Sequence, residues 1–367
     1  MKGWLMDLTK SIRGVLPAVL SALAFFFCVT ILGSPPAVAQ KVKQLPPPPP
    51  TPIYKPKPTP TPAPEELDVV RVTSNLIAVP VSVTDANGQP VLGLTANEFR
   101  IEEDGRTQQI AQLGDPEQIP LDIALLIDVS ASVDARFAFE QKAAADFLRQ
   151  VLKPGDRATV FAIDATARHI QPFTDAERAA TRLMTLTAAK GFTAFFDSLL
   201  AAEKYLDANS SQGRRRVIVV LSDGDDTARI NDLYNRGNTQ FSQMENQVRF
   251  IERNQSEVLR EIQRSEVTFY SINPSGNTMH LNVRVARAQK GMERLAAATG
   301  GAAFIPPDEA NLPAIFQRIA SEIRSQYLIQ YYSDNKSDAV AFRRINVSAP
   351  TRPQVRVRAR EGYFPKK

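Results

Sequence analysis

Three oxygen-bearing side chains at alternate positions, Asp128, Ser130 and Ser132, are the residues of this sequence best suited to chemistry. They directly follow Leu121–Ile127, an apolar run that predicts a strand buried on both faces of a parallel sheet. Open α/β sheets bind their ligands where such strands end. One carboxylate and two hydroxyls suit a hard divalent cation, so we predict a metal site at this sheet edge. The alternative is that Asp128 or Ser132 only caps the following helix.

Strands and helices alternate from residue 120 to residue 325, which predicts a doubly wound α/β domain with a mainly parallel sheet. The predicted strands are Leu121–Ile127, Arg157–Ile163, Arg216–Leu221, Val267–Ile272 and Ala302–Ile305. The predicted helices are Ala135–Leu152, Asp175–Leu186, Thr193–Leu206, Met244–Arg264 and Leu312–Arg324. These elements bring the ends of several strands to the edge that follows Leu121–Ile127.

Two further segments supply oxygen ligands in the same domain. Gly191-Phe192-Thr193 opens a predicted helix, and Ser222-Asp223-Gly224 ends a predicted buried strand. Together with the Asp-x-Ser-x-Ser motif, these segments make residues 119–326 similar to a von Willebrand factor type A domain.

The resemblance implies a metal-ion-dependent adhesion site, the MIDAS of that family. Its ligands here would be Asp128, Ser130, Ser132, Thr193 and Asp223, and its ion Mg²⁺, or else Mn²⁺ or Ca²⁺. In the family, the ion keeps an open coordination position. An exposed Asp or Glu of a protein or peptide partner would fill it.

Four neighbouring residues are candidates for the ligand face: Phe192, Asp225, Tyr234 and Asn235. Phe192 stands where the family often has a second glycine, and it either lines the ligand face or packs under its loop. Asp225 either supports the site or is a solvated turn residue. Tyr234 and Asn235 belong to an insertion at residues 229–266, which either selects the partner or is a solvated helical excursion.

The N-terminal part of the chain resembles an export signal followed by a spacer. Residues 1–39 combine a basic start, an apolar run and the small residues Ala37-Val38-Ala39, which predicts a cleaved signal peptide. The alternative is a membrane anchor formed by residues 14–33. Residues 40–65 are a proline-rich linker, expected to be extended polyproline II. Cys28, the only cysteine, would leave with the signal peptide, so disulfides and thiol chemistry are excluded from the mature chain.

The two ends of the exported part are rich in β patterns. Residues 66–118 predict a small β unit, and residues 327–367 predict C-terminal strands that pack with it in a β-sandwich-like flank. The alternation in Val355–Arg360 directs three arginines to one face, expected to be solvated or to bind an anionic surface.

These features favour an exported binding protein, secreted or periplasmic, that takes part in adhesion or in assembly of an envelope complex. The alternative is a structural envelope protein whose metal site is vestigial. An enzyme is the least favoured class, because no histidine, cysteine or lysine is positioned as a base and no hydrolase motif occurs. The formal net charge of +5 is too small to indicate nucleic-acid binding. The sequence does not predict an oligomeric state.

Overall fold

The structure is a computed structural model that describes residues 76–115, 117–130, 134–235, 244–276, 283–335, 337 and 341–365. The predicted signal or anchor, the proline-rich linker and Ser132 lie outside the described residues. In the part of the chain that is described, no helix is both long enough and apolar enough to cross a membrane.

The described chain begins with four strands, β1 (Leu76–Thr84), β2 (Arg100–Glu103), β3 (Arg106–Gln108) and β4 (Ile110–Gly114). The central region adds strands β5 (Leu121–Asp128), β6 (Arg157–Ile163), β7 (Ala167–Thr174), β8 (Arg215–Leu221), β9 (Val267–Ile272) and β10 (Ala303–Phe304). Its helices are α1 (Asp134–Val151), α2 (Ala176–Leu183), α3 (Phe195–Asn209), α4 (Thr227–Asn235), α5 (Met244–Arg264), α6 (Val283–Thr299) and α7 (Leu312–Ser325). The C-terminal strands are β11 (Tyr327–Tyr332), β12 (Arg343–Ser348), β13 (Arg356–Ala359) and β14 (Gly362–Tyr363).

The central sheet has the strand order β10-β9-β8-β5-β6-β7, and its strands are parallel except for β7. Side chains of β5 alternate between the two faces. Leu125 and Ile127 pack with helices α1, α2 and α7, whereas Ala124 and Leu126 pack with α3, α5 and α6. Because both faces are covered, Leu121–Ile127 is apolar apart from Asp122, which is buried and forms ion pairs with Arg157 and Arg214. The predicted doubly wound, mainly parallel fold is confirmed.

Several local features differ from the sequence prediction. Helices α4 and α6 were not among the predicted helices. Strand β7 was not predicted, and it pairs antiparallel with β6 at the edge of the sheet. Helix α3 begins at Phe195 instead of Thr193. Hydrogen bonds to other segments hold the two residues before this helix. The amide of Thr193 donates to Thr227 Oγ1 at 2.7 Å, and the amide of Ala194 donates to the carbonyl of Asp164 at 2.8 Å. Thr193 is therefore held in the loop before the helix.

The strands from the two ends of the described chain form a β-sandwich. One sheet has the order β13-β1-β11-β4, and the other has the order β14-β12-β2-β3. Alternate residues of β1, among them Val79 and Val81, meet Tyr331 of β11 and Ile345 of β12 in a separate hydrophobic core. The domain limits at residues 118 and 326 remain a prediction.

A buried polar cluster joins the sandwich to the α/β domain. Glu322 of α7 accepts hydrogen bonds at Oε1 from Tyr270 of β9 at 2.6 Å and from Ser82 of β1 at 3.2 Å. Arg358 of β13 forms an ion pair with the same carboxylate. Gln326, the residue that separates α7 from β11, donates to both Ser82 and Tyr270. The C-terminal end of α7 is thus fixed to both parts of the described structure.

The expectation of a solvated or anion-binding arginine face on the C-terminal strand is wrong for two of the three arginines. Arg358 pairs with Glu322, and Arg360 is buried, where it donates to the carbonyls of Gly362, Gln263 and Ser265. Burial lowers the pKa of the Arg360 guanidinium. Arg358 and Arg360 thus contact the α/β domain, whereas Arg356 is exposed to solvent.

Candidate metal centre

The candidate site lies where the strand order reverses in the central sheet. Strand β5 lies between β6 and β8. After β5, the chain forms β6 and β7 on one side of this strand and then crosses to its other side to form β8. Asp128 is the last residue of β5, and Asp223 follows the end of β8 by two residues. Such a switch point leaves a crevice at the carboxyl ends of the strands, because the loops on the two sides turn in opposite directions.

Hydrogen bonds from two serines orient the carboxylate of Asp128. Its Oδ1 accepts from the backbone amide of Ser130 at 3.0 Å and from the Ser130 hydroxyl at 2.6 Å. Its Oδ2 accepts from the Ser222 hydroxyl at 2.8 Å. Ser222 Oγ also accepts from the amide of Gly224 at 3.0 Å. The loops after β5 and β8 are therefore joined through this carboxylate.

Thr193 reaches the same cluster from the loop before α3. Its hydroxyl donates to Ser130 Oγ at 3.1 Å, and its side chain is buried. Its carbonyl accepts from the amide of Ala228 at 3.1 Å, while its own amide is held by Thr227. The start of α4 thus fixes the height of Thr193 above the sheet edge.

Asp223 lines the same surface depression as Asp128 and Ser130. Its Oδ1 accepts from the amide of Asp225 at 3.0 Å, which holds the turn after β8. Gly224 has φ +77°, and a Cβ there would lie 2.9 Å from the side chain of Met292. The turn therefore requires glycine both for its left-handed backbone and for its close packing against α6.

The donor set fits a hard divalent cation. In the described residues, carboxylates of Asp128 and Asp223 and hydroxyls of Ser130 and Thr193 converge, all of them oxygen ligands. Burial raises the pKa of Asp128, and the nearby carboxylate of Asp223 also raises it. A cation between these carboxylates would relieve both effects. Within the described part of the chain, no cluster of three or more His, Cys, Asp or Glu residues forms a different kind of metal site.

The candidate ligand-face residues differ in their exposure. Phe192 is 46 % exposed, so the packed alternative does not hold for it. Asp225 is only 7 % exposed and is therefore not a solvated turn residue, nor does it face a ligand from the surface. Tyr234 and Asn235 are the last residues of α4, and their side chains lie outside the described part of the structure.

Asp226 follows Asp225 in the turn after β8, where the sequence predicts either supporting hydrogen bonds, repulsion of an acidic ligand or a solvated carboxylate; the structure shows supporting hydrogen bonds. Its Oδ2 accepts from the amide of Phe196 in the first turn of α3 at 2.8 Å, and its Oδ1 accepts from the amide of Arg229 in the first turn of α4 at 3.1 Å. Burial raises its pKa, while these two hydrogen bonds lower it. One carboxylate thus caps both α3, which follows the loop of Thr193, and α4, which begins at Thr227.

Sequence reasoning missed two charged residues in the depression, Arg136 and Glu140 of α1. Arg136 Nε lies 3.0 Å from Glu140 Oε1 and 2.9 Å from Glu309 Oε1, and Nη2 contacts the carbonyl of Pro274. Glu140 is 4 % exposed, and burial raises its pKa to about 7. The available signal was their spacing of four residues, which places them on one face of the helix that follows the motif.

Comparison with known proteins agrees with this geometry. A family model described as the von Willebrand factor type A domain matches residues 123–225, which include β5, β8 and the described candidate ligands. The chain therefore contains a von Willebrand factor type A domain match within its central α/β region, and the resemblance found in the sequence is confirmed. No curated protein sequence matches the chain.

Several solved structures have a similar fold at low sequence identity. Proximal thread matrix protein 1 from the mussel byssus, with a zinc-occupied MIDAS motif, is 14 % identical over 61 % of this chain and 50 % of that one, with a TM-score of 0.42. The PilB minor pilin from Streptococcus sanguinis is 17 % identical over 60 % of this chain and 64 % of that one, with a TM-score of 0.44. The conserved hypothetical protein BatB from Bacteroides thetaiotaomicron is 14 % identical over 55 % of this chain and 98 % of that one, with a TM-score of 0.39. The chain thus spans half of the mussel protein and just under two thirds of the pilin.

Proposed function

We propose that this protein is an exported binding module that captures a carboxylate of a protein or peptide partner through a divalent cation. The cation, Mg²⁺ or else Mn²⁺ or Ca²⁺, would be held by Asp128, Ser130, Ser132, Thr193 and Asp223. Export would use residues 1–39 as a signal peptide or residues 14–33 as an anchor, with residues 40–65 as a spacer.

The convergence of side chains from three separate loops is the observation that carries this proposal. A chain of hydrogen bonds runs from Thr193 through Ser130 to Asp128, and Asp223 lines the same depression. Residues so distant in sequence meet only because β5 and β8 are neighbours and the α3 loop is held beside them. Two carboxylates in this partly buried space favour a cation.

The residues of the chain would prepare the site before the partner arrives. A bound cation would supply an electrophilic position for the partner's carboxylate. Ser130 and Ser222 fix the orientation of Asp128, and Thr227 fixes the loop of Thr193, so ligand binding requires little reordering. The exposed ring of Phe192 offers apolar contact area next to this loop.

Titration calorimetry with Mg²⁺ and Mn²⁺ on the exported chain tests the proposal. We expect binding to the wild type and loss of binding in Asp128→Asn. The substitution removes the charge but keeps hydrogen-bonding atoms for Ser130 and Ser222. Asp146→Asn is the matched control, because Asp146 is an exposed aspartate of α1 paired with Lys142. Equal heats in the wild type and Asp128→Asn would contradict the proposal.

A structural envelope protein with a vestigial metal site is the second candidate. One observation favours it: both carboxylate oxygens of Asp128 already accept hydrogen bonds from the chain, so the cluster can be satisfied without a cation. This candidate predicts that chelation leaves partner binding unchanged. Enzymatic hydrolysis has less support, because the residues described as lining the depression include no histidine, cysteine or lysine.

A further inference from the structure

Arg136 is the positively charged residue that lines the depression of the candidate metal centre in the described structure. Its side chain is 32 % exposed, so it is accessible from solvent. Arg136, Pro274 and Ser275 also line a second depression with Asp308 and Glu309, so the two depressions are adjacent. A ligand that enters the metal centre would meet this guanidinium at its side.

The guanidinium is held in position by contacts from three parts of the fold. Nε faces Glu140 of α1 and Glu309 of the segment before α7, and Nη2 donates to the carbonyl of Pro274 after β9. Among the described residues, no acceptor forms a hydrogen bond with Nη1. An arginine fixed through one edge keeps a donor for a ligand at little entropic cost.

We propose that Arg136 provides the second contact for the ligand carboxylate, donating to the oxygen that the cation does not take. This inference rests on the proposed function. A carboxylate has two oxygens, and a charge-assisted hydrogen bond from arginine to the second one adds both affinity and orientation. The contact selects carboxylates over neutral amides or hydroxyl groups, which carry less charge for the guanidinium to meet. Glu140 and Glu309 offset the repulsion between Arg136 and a bound cation.

The competing explanation is that Arg136 only neutralises the buried carboxylate of Glu140. The two explanations differ in the response to a double substitution. If Arg136 acts only through Glu140, then Arg136→Gln/Glu140→Gln leaves no buried carboxylate unpaired, since the remaining partner Glu309 is exposed, and the double variant binds carboxylates as the wild type does. If Arg136 contacts the ligand, then the double variant remains as weak as Arg136→Gln.

The experiment uses Mn²⁺ bound to the exported chain, with acetate as the carboxylate probe and acetamide as the neutral probe. Water-proton relaxation reports displacement of water from the bound ion, and electron paramagnetic resonance gives the Mn²⁺ affinity. We expect the acetate midpoint to rise about tenfold in Arg136→Gln, the size of one charge-assisted hydrogen bond. The Mn²⁺ affinity is expected to be retained or increased, because a nearby positive charge is removed.

Arg149→Gln is the matched control, since Arg149 is also an ion-paired arginine of α1. It lies thirteen residues further along the helix than Arg136, about 20 Å away at the usual rise per residue. Its acetate midpoint should equal that of the wild type, and acetamide should distinguish none of the variants.

Each contrary outcome identifies what has failed. Equal acetate midpoints in the wild type and Arg136→Gln would overturn the inference and leave the metal-dependent function standing, as would recovery in the double variant. Bound Mn²⁺ that acetate does not affect in any protein would overturn carboxylate capture together with the inference. Absence of Mn²⁺ binding to the wild type would overturn the metal site itself.

Discussion

At the scale of single residues, Glu140 is a buried carboxyl group whose ionisation destabilises the folded state. It is buried on α1, and its pKa is raised from 4.5 to about 7, first by desolvation and then by the charges of Glu309 and Asp128. The ion pair with Arg136 opposes this change without cancelling it. Between these pH values the folded chain therefore binds more protons at Glu140 than the unfolded chain does.

We predict that Glu140 makes the protein less stable as pH rises through this range. A folded-state pKa above the unfolded value gives stability that is complete below about pH 4.5 and is lost as pH rises to about 7. In the presence of a chelator, Glu140→Gln should become more stable than the wild type, by on the order of 3 kcal/mol above pH 7. Urea denaturation at several pH values measures this difference. As a control, Glu257→Gln, at an exposed glutamate of α5, should have the same free energy of unfolding as the wild type at every pH. If the free energy of unfolding of Glu140→Gln also ran parallel to that of the wild type, the prediction would be contradicted.

The sequence allowed prediction of the candidate site's ligands better than prediction of their supports. Asp128, Ser130, Thr193 and Asp223 stand in motifs with strong local signals, and the structure brings these four together. The roles of Ser222, Asp226, Arg136 and Glu140 depend on which loops and helix faces meet in three dimensions. Arg136 and Glu140 were missed: their spacing of four residues is compatible with a shared helix face, but it does not indicate that this face lines the depression.

At the scale of elements, helix α7 differs at its two ends. Its first turn follows the segment that carries Glu309, which pairs with Arg136 beside the candidate metal centre. Its last turns carry Glu322 in the buried polar cluster. Glu322 accepts from Tyr270 and Ser82 and pairs with Arg358, so strands of the central sheet and of the sandwich meet at one carboxylate. Desolvation raises the pKa of Tyr270 to about 12, which keeps its hydroxyl protonated as a donor.

We predict that Glu322→Ala destabilises the protein by about 2–3 kcal/mol. The substitution leaves buried donors without their acceptor, and the loss is below the full value for a buried pair because Arg358 is partly exposed. Glu322→Gln should lose less, since its amide oxygen still accepts from Tyr270. Urea denaturation gives both values. As a control, Glu257→Ala, which removes an exposed partner of Arg253, should change stability by less than about 0.5 kcal/mol. An equally small change for Glu322→Ala would contradict the role of Glu322 as the acceptor that joins the two parts of the fold.

The sequence predicted the buried elements more accurately than the edge elements. Strands β6 and β9 match their predicted limits because mostly apolar runs rich in β-branched and aromatic residues are typical of strands covered on both faces. Strand β7 has a mixed pattern, with exposed and half-buried residues, so periodicity gave no clear signal for it. The start of α3 was misjudged for a different reason, because tertiary hydrogen bonds to Thr193 and Ala194 replace the first helical turn.

At the scale of the whole molecule, separate hydrophobic cores raise the question of whether the parts unfold together. The central sheet has a core on each face, and the sandwich has its own core around Val81 and Ile329. The described residues, 76–365 with their gaps, nevertheless belong to one compact unit. A single residue, Gln326, links α7 to β11, and Arg358 and Arg360 bind groups of the α/β domain from β13 and its end.

We predict a single cooperative unfolding transition for residues 40–367, with equal calorimetric and van't Hoff enthalpies. The sandwich cannot separate without exposing Glu322 and Arg360, because both are buried at the junction. Removal of residues 327–367 should therefore lower the melting temperature of the α/β domain sharply. It takes away β11, which lies between β1 and β4, together with both arginines. Differential scanning calorimetry of the two chains tests this. Two transitions in residues 40–367, with the α/β transition unchanged by truncation, would instead show that the domains unfold independently. The proposed domain limit at residue 326 would then also separate two units of independent stability.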